Sequence, residues 1–379
     1  MNPALRRSSC FLASLTCLIL LSACQSTESN TRENGGVDPR KAHHTKDGFK
    51  NLYVEDNDKN FFDFLEMRFL GDEEWADHAS LADQVPIQAV DIARLKAKSE
   101  MQANNDADAP LVTWLGHSMF IVQHNGLTLL TDPIFSERAS PLSFAGPKRY
   151  VPHAMDYNEL PDIDIVVISH NHYDHLDNDS IEQLAQKSAQ QVSPIQFFVP
   201  LGLKTHLIDE GVNPTDISEM DWWSKALAKN AFSSAEIQAL PSQHWSARGL
   251  SDRLQTLWAS WAIDFNGFTV WFAGDTGYND KQFKQIGSAL EKVDLALIPI
   301  GGYEPRWFMK KYHVNPSEAV QIHQDVKALK SIGIHWGTFP MTAEEPGEPV
   351  KALTQEKVSK GISDERFITL AIGESLLVE

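Results

Sequence analysis

Cysteine is nearly absent from this chain. Its three cysteines, Cys10, Cys17 and Cys24, all lie within the first 24 residues, and the rest of the 379-residue sequence contains none. A disulfide framework in the body of the protein is therefore excluded. Catalysis by a thiol nucleophile in the body is excluded for the same reason.

Positive charge is also scarce. The 33 lysines and arginines are outnumbered by 51 aspartates and glutamates, which gives a formal net charge of −18 and a pI of about 5.2. Proteins that bind nucleic acid need a basic surface to neutralise phosphates, so nucleic acid is not expected as a partner. Broad electrostatic docking on anionic lipid is disfavoured as well.

The N-terminus has no apolar run long enough to cross a membrane. The stretch from Cys10 to Leu21, preceded by Arg6 and Arg7, is too short to span a hydrocarbon core of roughly 30 Å as a helix. This arrangement is typical of a secretory signal. It ends in Leu-Ser-Ala-Cys24, which resembles the lipobox of bacterial lipoproteins and implies a lipid on Cys24. The alternative is a secretory signal with a coincidental cysteine.

The sequence divides into four parts, none of which repeats another. Residues 1–23 are interpreted as the signal peptide, and the polar residues 24–46 as a flexible tether. Residues 47–110 mix aromatics with a helical pattern and are expected to pack on the core, and residues 111–379 form the main domain. Because Gln25 and not Asp follows Cys24, we expect a lipid-anchored protein of the bacterial cell envelope, sorted to the outer membrane.

The main domain combines short strands with helices. Two Asn-Gly pairs, Asn125-Gly126 and Asn266-Gly267, predict hairpins. The apolar run from Ile163 to Ile168 predicts a buried strand. Helices are predicted from Asn178 to Lys187, with Asn178 or Asp179 as the cap, and from Pro316 to Ala328. This mixture favours an α/β protein with two packed sheets and helices outside.

A histidine-rich loop directly follows the predicted strand that ends at Ile168. It contains four side chains that bind metals: His170, His172, Asp174 and His175. One division gives the first two histidines to one cation and the other two residues to a second. Imidazole with a single carboxylate suits zinc better than calcium or magnesium. The alternative is a histidine-rich surface loop.

Three further residues also stand where a predicted strand gives way to a loop. They are His244, Asp275 and His335. Sites of α/β proteins collect their functional groups at such positions. Each residue alone is more often structural, but together with the histidine-rich loop they favour a metal centre.

The order His-x-His-x-Asp-His, a lone His, an Asp after Gly and a late His resembles the metallo-β-lactamase fold family over residues 111–376. The resemblance implies an αββα four-layer sandwich for the catalytic domain. It also implies two zinc ions, with other divalent metals as alternatives. The implied ligands are His170, His172 and His244 for one zinc, Asp174, His175 and His335 for the other, and Asp275 as the bridge.

Several longer strings resemble one branch, the N-acylphosphatidylethanolamine-hydrolysing phospholipase D family. They are Thr131 to Phe135, Arg138 to Pro141, Gly146 to Arg149, Asp221 to Trp223, Gly274 to Tyr278 and Tyr303 to Met309. The chain departs from that family at Ser143 and Phe144, where the family has Gln-Tyr. The resemblance implies a phospholipid substrate cleaved to phosphatidate and N-acylethanolamine.

Roles for individual residues follow from the same resemblance. A hydroxide bridging two zinc ions is the implied nucleophile, with Asp174, Asp275 and His313 as the catalytic residues. Candidate substrate contacts are His117, Ser143, Phe144 and Arg306. For His117 and His313 the alternative is a structural histidine, and for Arg306 it is a pairing with Glu304. Trp222 and Trp223 are expected in the core, with the lining of an acyl groove as the alternative.

Two other functions remain open at this point. One is a different metal-dependent hydrolase of the same fold, such as a lactonase or a sugar-phosphate hydrolase. The other is a non-catalytic envelope lipoprotein, which the complete set of seven candidate ligands disfavours. The sequence sets no oligomeric state and leaves a dimer open.

Overall fold

The computed structural model describes residues 37–55, 61–100, 109–249 and 251–378. The predicted signal peptide, Cys24 and most of the predicted tether lie outside these ranges. No helix within the described ranges has the length and apolar character needed to cross a membrane.

Fourteen strands in the described ranges form two sheets of seven strands each. The strands are β1 (Leu111–Gly116), β2 (Met119–His124), β3 (Leu127–Thr131), β4 (Ile165–Val167), β5 (Gln196–Pro200), β6 (Ile217–Met220), β7 (Lys225–Lys229), β8 (Ser234–Leu240), β9 (Ser260–Asp264), β10 (Thr269–Phe272), β11 (Val293–Pro299), β12 (Ala328–Ile334), β13 (Phe367–Ile368) and β14 (Ser375–Leu377). The first sheet has the order β14-β1-β2-β3-β4-β5-β6, and the second has β13-β12-β11-β10-β9-β8-β7.

The strands that precede the candidate ligands run in the same direction within their sheets. In the first sheet β3, β4, β5 and β6 are parallel neighbours, and β1 has the same direction because two antiparallel steps separate it from β3. In the second sheet β10, β11 and β12 are parallel, and two antiparallel steps give β8 their direction. The carboxyl ends of these strands therefore meet at one edge of each sheet.

The helices cover the outer faces of the two sheets. They are α1 (Phe61–Leu65), α2 (Ile92–Ser99), α3 (Asn178–Ser188), α4 (Lys204–Asp209), α5 (Gln282–Ala289), α6 (Arg306–Met309), α7 (Pro316–Asp325) and α8 (Glu348–Lys360). Apolar residues of α2, α3 and α4 share one buried cluster with the first sheet, and those of α5, α7 and α8 pack with the second sheet. The predicted αββα four-layer sandwich is confirmed.

Strand β1 illustrates how the sequence builds these layers. Successive side chains of a strand point to opposite faces. Val112 and Trp114 belong to the core between the sheets, whereas Leu111 and Leu115 belong to the cluster under the outer helices. Because both faces are buried, β1 is a continuous apolar run and not an alternating one.

The predicted tether, residues 24–46, overlaps the folded part of the chain at its C-terminal end. His43 and His44 are buried, and Phe49 lies in the core between the sheets. Residues 37–46 therefore belong at least in part to the folded body, because two of their side chains lose water on folding. Val85 also joins this core and Leu95 joins the buried cluster of the first sheet, so the segment after residue 46 packs on the main domain.

Three local predictions were wrong. Helix α7 ends at Asp325 and not at Ala328, which already begins β12. The N-cap of α3 is Asp177, one residue before the two predicted caps. Trp222 is buried as predicted, but Trp223 is 40% exposed. Its backbone is left-handed, with φ of 72°.

Candidate metal centre

The seven candidate ligands meet at the carboxyl ends of four strands. The loop from His170 to His175 follows β4, His244 follows β8, Asp275 follows β10, and His335 follows β12 directly. All of them are buried except His172, which is half-buried. The first sheet thus contributes one loop and the second sheet contributes three single residues.

Three imidazoles form the first half of the site. His170 Nε2 lies 2.8 Å from His172 Nδ1, and His244 Nε2 lies 3.2 Å from the same atom. All three nitrogens lie within 4.8 Å of one another. This spacing lets one cation contact all three rings, since zinc–nitrogen bonds are about 2.0–2.1 Å long.

A carboxylate and two imidazoles form the second half. His175 Nε2 lies 3.1 Å from Asp174 Oδ2, and His335 Nε2 lies 3.5 Å from the same oxygen. Asp275 Oδ2 lies 3.3 Å from His175 Nε2, 3.2 Å from His335 Nε2 and 3.8 Å from His244 Nε2. Asp275 therefore stands between the two halves.

Hydrogen bonds on the outer ring nitrogens orient three of these imidazoles. His175 Nδ1 lies 2.6 Å from Asp132 Oδ2, and His244 Nδ1 lies 3.0 Å from the carbonyl of Tyr312. An imidazole that donates from Nδ1 has its lone pair on Nε2. That lone pair then points towards the site in both residues. His170 is held in the same way by the hydroxyl of Ser169, 2.9 Å from its Nδ1.

Asp132 was missed as a functional residue in the sequence. It directly follows β3, as the candidate ligands follow their own strands, and this position was the available signal. Its Oδ1 and Oδ2 accept hydrogen bonds from the backbone and the hydroxyl of Ser169. Its backbone is left-handed, with φ of 32°. Asp132 orients His175 but does not itself belong to either group of converging ligand atoms.

Burial sets the protonation of the first half. It lowers the pKa of His172 and of His244 to about 3 and that of His170 well below its ordinary value. These rings are therefore neutral at neutral pH, so their lone pairs are free for a metal.

The second half has the opposite electrostatics. Burial alone would lower the pKa of His335, but Asp275 and Asp174 outweigh it and raise that pKa to about 9. The same two carboxylates raise the pKa of His175 above its ordinary value against the effect of burial. The carboxylates thus attract positive charge to this half, whether as protons or as a metal cation.

The donor set fits divalent metal ions. In the described part of the chain His175 Nε2, His335 Nε2 and Asp275 Oδ1 are buried and make no hydrogen bond. Leaving buried polar atoms without partners costs free energy. A cation bound by these atoms removes that cost.

Two further histidines lie at the edge of the centre. His117 Nε2 is 2.8 Å from Asp174 Oδ2, so His117 contacts a candidate ligand and not an open substrate site. His313 Nδ1 is 3.7 Å from Asp275 Oδ2, and its side chain is partly exposed. Burial lowers the pKa of His313 to about 3, which leaves its ring neutral at neutral pH.

The comparisons with known proteins agree with this geometry. The sequence model of the β-lactamase superfamily domain matches residues 128–336, which include all seven candidate ligands. The chain belongs to the metallo-β-lactamase superfamily. A metallo hydrolase of the archaeon Ignicoccus hospitalis superposes with a TM-score of 0.50 at 22% sequence identity, over 71% of this chain and 97% of that chain, and shares the fold.

Two relatives place the chain more closely within the superfamily. It is 45% identical to N-acyl-phosphatidylethanolamine-hydrolyzing phospholipase D 1 of Caenorhabditis elegans, over 69% of this chain and 74% of the relative. It is 35% identical to the mitochondrial enzyme of the same name from Saccharomyces cerevisiae, over 72% of this chain and 58% of the relative. The chain is accordingly a metal-dependent hydrolase of this superfamily.

The other predicted substrate contacts, Arg306, Ser143 and Phe144, are not among the side chains that converge at the metal centre. Arg306 is already engaged, because its Nη2 lies 2.7 Å from Glu318 Oε2 and its Nη1 donates to the carbonyl of His313. The Glu304 carboxylate also accepts a hydrogen bond of 2.8 Å from Arg306, but from its backbone N–H. Ser143 and Phe144 lie on the loop between β3 and β4, and Phe144 is 78% exposed.

The open side of the centre can be inferred from the exposure of its members. The cavity beside His117 and His335 holds about 30 Å³, which is roughly the volume of one water molecule. His172 and His313 are the partly exposed members of the centre and mark a side from which a substrate can reach it. Trp245 flanks this side, with its ring 4.3 Å from that of His172.

A third group of metal-type side chains is not a metal site. His43 Nε2 and His44 Nε2 lie 2.7 and 3.0 Å from the two carboxylate oxygens of Asp221, and Lys41 pairs with the same carboxylate. His44 Nδ1 accepts a hydrogen bond from the backbone of Asp38. Its Nε2 must therefore carry the proton and has no lone pair for a cation.

Proposed function

We propose that this chain is a dinuclear zinc phosphodiesterase that hydrolyses N-acyl phosphatidylethanolamine or a related phospholipid. The observation that carries the proposal is the position of Asp275, within 3.8 Å of imidazoles from both halves of the centre. A carboxylate between two sets of ligands suits a bridged pair of cations. The two relatives named for N-acyl-phosphatidylethanolamine hydrolysis support the choice of substrate.

The proposed ligand sets follow the two halves. His170, His172 and His244 would hold one zinc, Asp174, His175 and His335 the other, and Asp275 would touch both. Bound divalent cations would lower the pKa of a water molecule and neutralise charge on a phosphoryl oxygen. In the net reaction the oxygen of water joins phosphorus, and the bond from phosphorus to the ethanolamine oxygen breaks. The products are phosphatidate and N-acylethanolamine.

Residues of this chain have three tasks in the reaction. Asp275, which stands between the two halves, would orient the attacking water. His313 stands on the partly exposed side of the centre with a neutral ring, where it would form a hydrogen bond with the substrate. Asp174, held by His117, fixes its carboxylate towards the second metal.

The membrane attachment is a proposal of its own. A lipid on Cys24 would tether the enzyme to the bacterial envelope, at the outer membrane, next to a substrate that lives in a bilayer. Replacing Cys24 with Ser is expected to release the protein from the membrane fraction and to abolish its labelling by radioactive palmitate. If the variant stays lipid-labelled, the lipobox interpretation is wrong.

The activity is tested with residues 25–379, purified with zinc and mixed with detergent-dispersed N-acyl phosphatidylethanolamine. Mass spectrometry should detect phosphatidate and N-acylethanolamine. Both products should be lost in the His172→Ala variant and after metal removal by a chelator, and should return when zinc is added back.

Each other outcome of this assay has a definite meaning. If neither product forms while a lactone or a sugar phosphate is cleaved, the metal chemistry stands and the lipid substrate is wrong. If no substrate is cleaved by a protein that binds two zinc ions, the enzyme hypothesis gives way to a non-catalytic lipoprotein.

A further inference from the structure

Each carbonyl of the segment Ser242 to His244 accepts a hydrogen bond. Ser242 O accepts from Trp258 Nε1 at 2.9 Å, and Gln243 O accepts from the backbone of Gly277 at 2.8 Å. The third donor is Asn51, whose Nδ2 lies 2.8 Å from His244 O. Asn51 is the donor from outside residues 128–336, the part of the chain that matches the superfamily.

Asn51 is buried in this position, with 6% of its surface exposed. Its amide therefore makes a contact that water does not replace, and such a bond is more costly to lose than an exposed one. The side chain of the same His244 makes two further contacts, with Tyr312 O and with His172. The backbone and the ring of this candidate ligand are thus held from three directions.

The segment that carries Asn51 is fixed on the main domain just before it. Phe49 is 1% exposed, and its backbone N–H donates to Leu254 O at 2.9 Å. Gly48 passes so close to that carbonyl that an added Cβ would lie 2.1 Å from the oxygen. A side chain at Gly48 would therefore displace the segment, and with it the amide of Asn51.

A second anchor lies a few residues upstream. The buried carboxylate of Asp221 binds His43 and His44, and the ring of His43 stacks on Trp222 at 4.3 Å. Residues 43 and 50 are joined by a backbone hydrogen bond of 2.9 Å. The Asp221 carboxylate thus holds one end of the turn whose other end presents Asn51 to the metal centre.

We propose that Asn51 is a positioning residue for the metal ligand His244, and that residues 43–51 are part of the metal centre of this protein. The inference rests on the proposed ligand set, because it gives His244 a metal to hold. Asn51 acts through the backbone of His244 and touches neither metal nor substrate. Partners of metal ligands of this kind typically change metal affinity or activity by about 10–100-fold when they are lost.

The test compares Asn51→Asp with a matched control from the same segment. Asp has nearly the shape of Asn but brings a carboxylate oxygen instead of an N–H to His244 O. The control is Tyr53→Phe, which removes a hydrogen bond of 2.9 Å from Tyr53 to Gln285 at the surface. Each variant removes a hydrogen bond that the segment makes to the main domain, but only the bond of Asn51 is made to the candidate metal ligand His244.

Metal affinity and the Co(II) spectrum are the readouts. The metal-free proteins are titrated with zinc against a chromophoric chelator, and the visible spectrum of the Co(II) form is recorded. Asn51→Asp should bind the weaker-held metal about 10–100-fold less tightly and shift the Co(II) bands, while Tyr53→Phe matches the wild type. Thermal unfolding of the metal-free proteins measures how much stability each variant loses.

The outcomes separate this inference from the proposed function. If Asn51→Asp loses stability but keeps the wild-type zinc affinity and Co(II) spectrum, Asn51 is merely structural and the inference is wrong. If both variants weaken zinc equally, the segment acts through general stability and the inference is again wrong. If the wild type itself binds no metal, the proposed function is what fails.

Discussion

Asp132 accepts three hydrogen bonds, two from Ser169 and one from His175. An amide in its place would turn an N–H towards His175 Nδ1 or lose the contact with Ser169. The first orientation removes the acceptor that keeps the proton of His175 on Nδ1, and the second sets the new N–H against the backbone N–H of Ser169. The proton then moves to Nε2, the atom that points at Asp174 and Asp275.

At the residue scale we therefore expect Asp132→Asn to lower metal affinity by about 10–100-fold. Chelator competition with zinc measures the effect. The matched control is Asp164→Asn, which makes the same chemical change at the start of β4, where Asp164 binds Thr128 and Asn230. An unchanged affinity in Asp132→Asn, or equal losses in both variants, would contradict the role assigned to Asp132.

The sequence predicts individual site residues well when each carries its own local signal. The candidate ligands each follow an apolar run, so the position as well as the residue type identifies them. Asn51 and Asp132 have partners far along the chain, and only folding brings those partners near. For Arg306 the sequence left a substrate phosphate and Glu304 as equal alternatives, because nothing local indicates that Glu318, on the next helix, pairs with its guanidinium.

At the element scale, α7 supports the site through its first turn. The side chain of its N-cap Asn315 accepts a hydrogen bond from Glu318 N at 3.0 Å, and the Glu318 carboxylate accepts one from Asn315 N at 3.1 Å. Glu318 also binds Arg306, which donates to the carbonyl of His313. The capping box of a helix thus holds the loop of a candidate catalytic histidine.

Asn315→Ala is expected to lower the free energy of unfolding by about 0.5–2 kcal/mol, because the backbone N–H of Glu318 in the first turn loses its acceptor. Urea denaturation of the metal-free protein measures this. Asn213→Ala is the control, since Asn213 caps only a short 3₁₀ turn at Pro214–Asp216. A loss in the control as large as that in Asn315→Ala would argue against the capping box.

The ends of elements were the least predictable part of the fold. The pattern of α7 continues smoothly past Asp325, yet the chain turns at Lys327 with φ of 59° and enters β12. Lysine carries no turn signal, in contrast to the Asn-Gly pairs that marked both predicted hairpins. Element types came from local patterns, whereas this boundary is set by tertiary packing against the sheet.

At the scale of the whole molecule, buried neutral histidines make stability depend on pH. His323 is 1% exposed and binds Ser331, and burial lowers its pKa to about 4. In the unfolded chain its pKa is about 6.5. Between these two pKa values the unfolded state binds more protons than the folded state. The contribution of His323 to stability is therefore fully present above about pH 6.5 and is lost as the pH falls towards 4.

We expect the free energy of unfolding to fall between about pH 6.5 and 4, and to fall less steeply in His323→Gln. Denaturation of the metal-free proteins across this range tests it. Because the histidines of the metal centre add to the slope in both proteins, the difference between the two curves isolates His323. Parallel curves would show that His323 contributes nothing.

The proposed ligands come from both sheets, and this has a consequence for how the protein is made. The loop from His170 to His175 leaves the ribosome first, and His335 comes last, after six strands of the second sheet. A partly synthesised chain therefore exposes the histidine-rich loop without the residues that complete either half. A fully ligated metal would mark the finished chain, and a premature metal on the loop would have to be exchanged or rearranged before the sandwich closes.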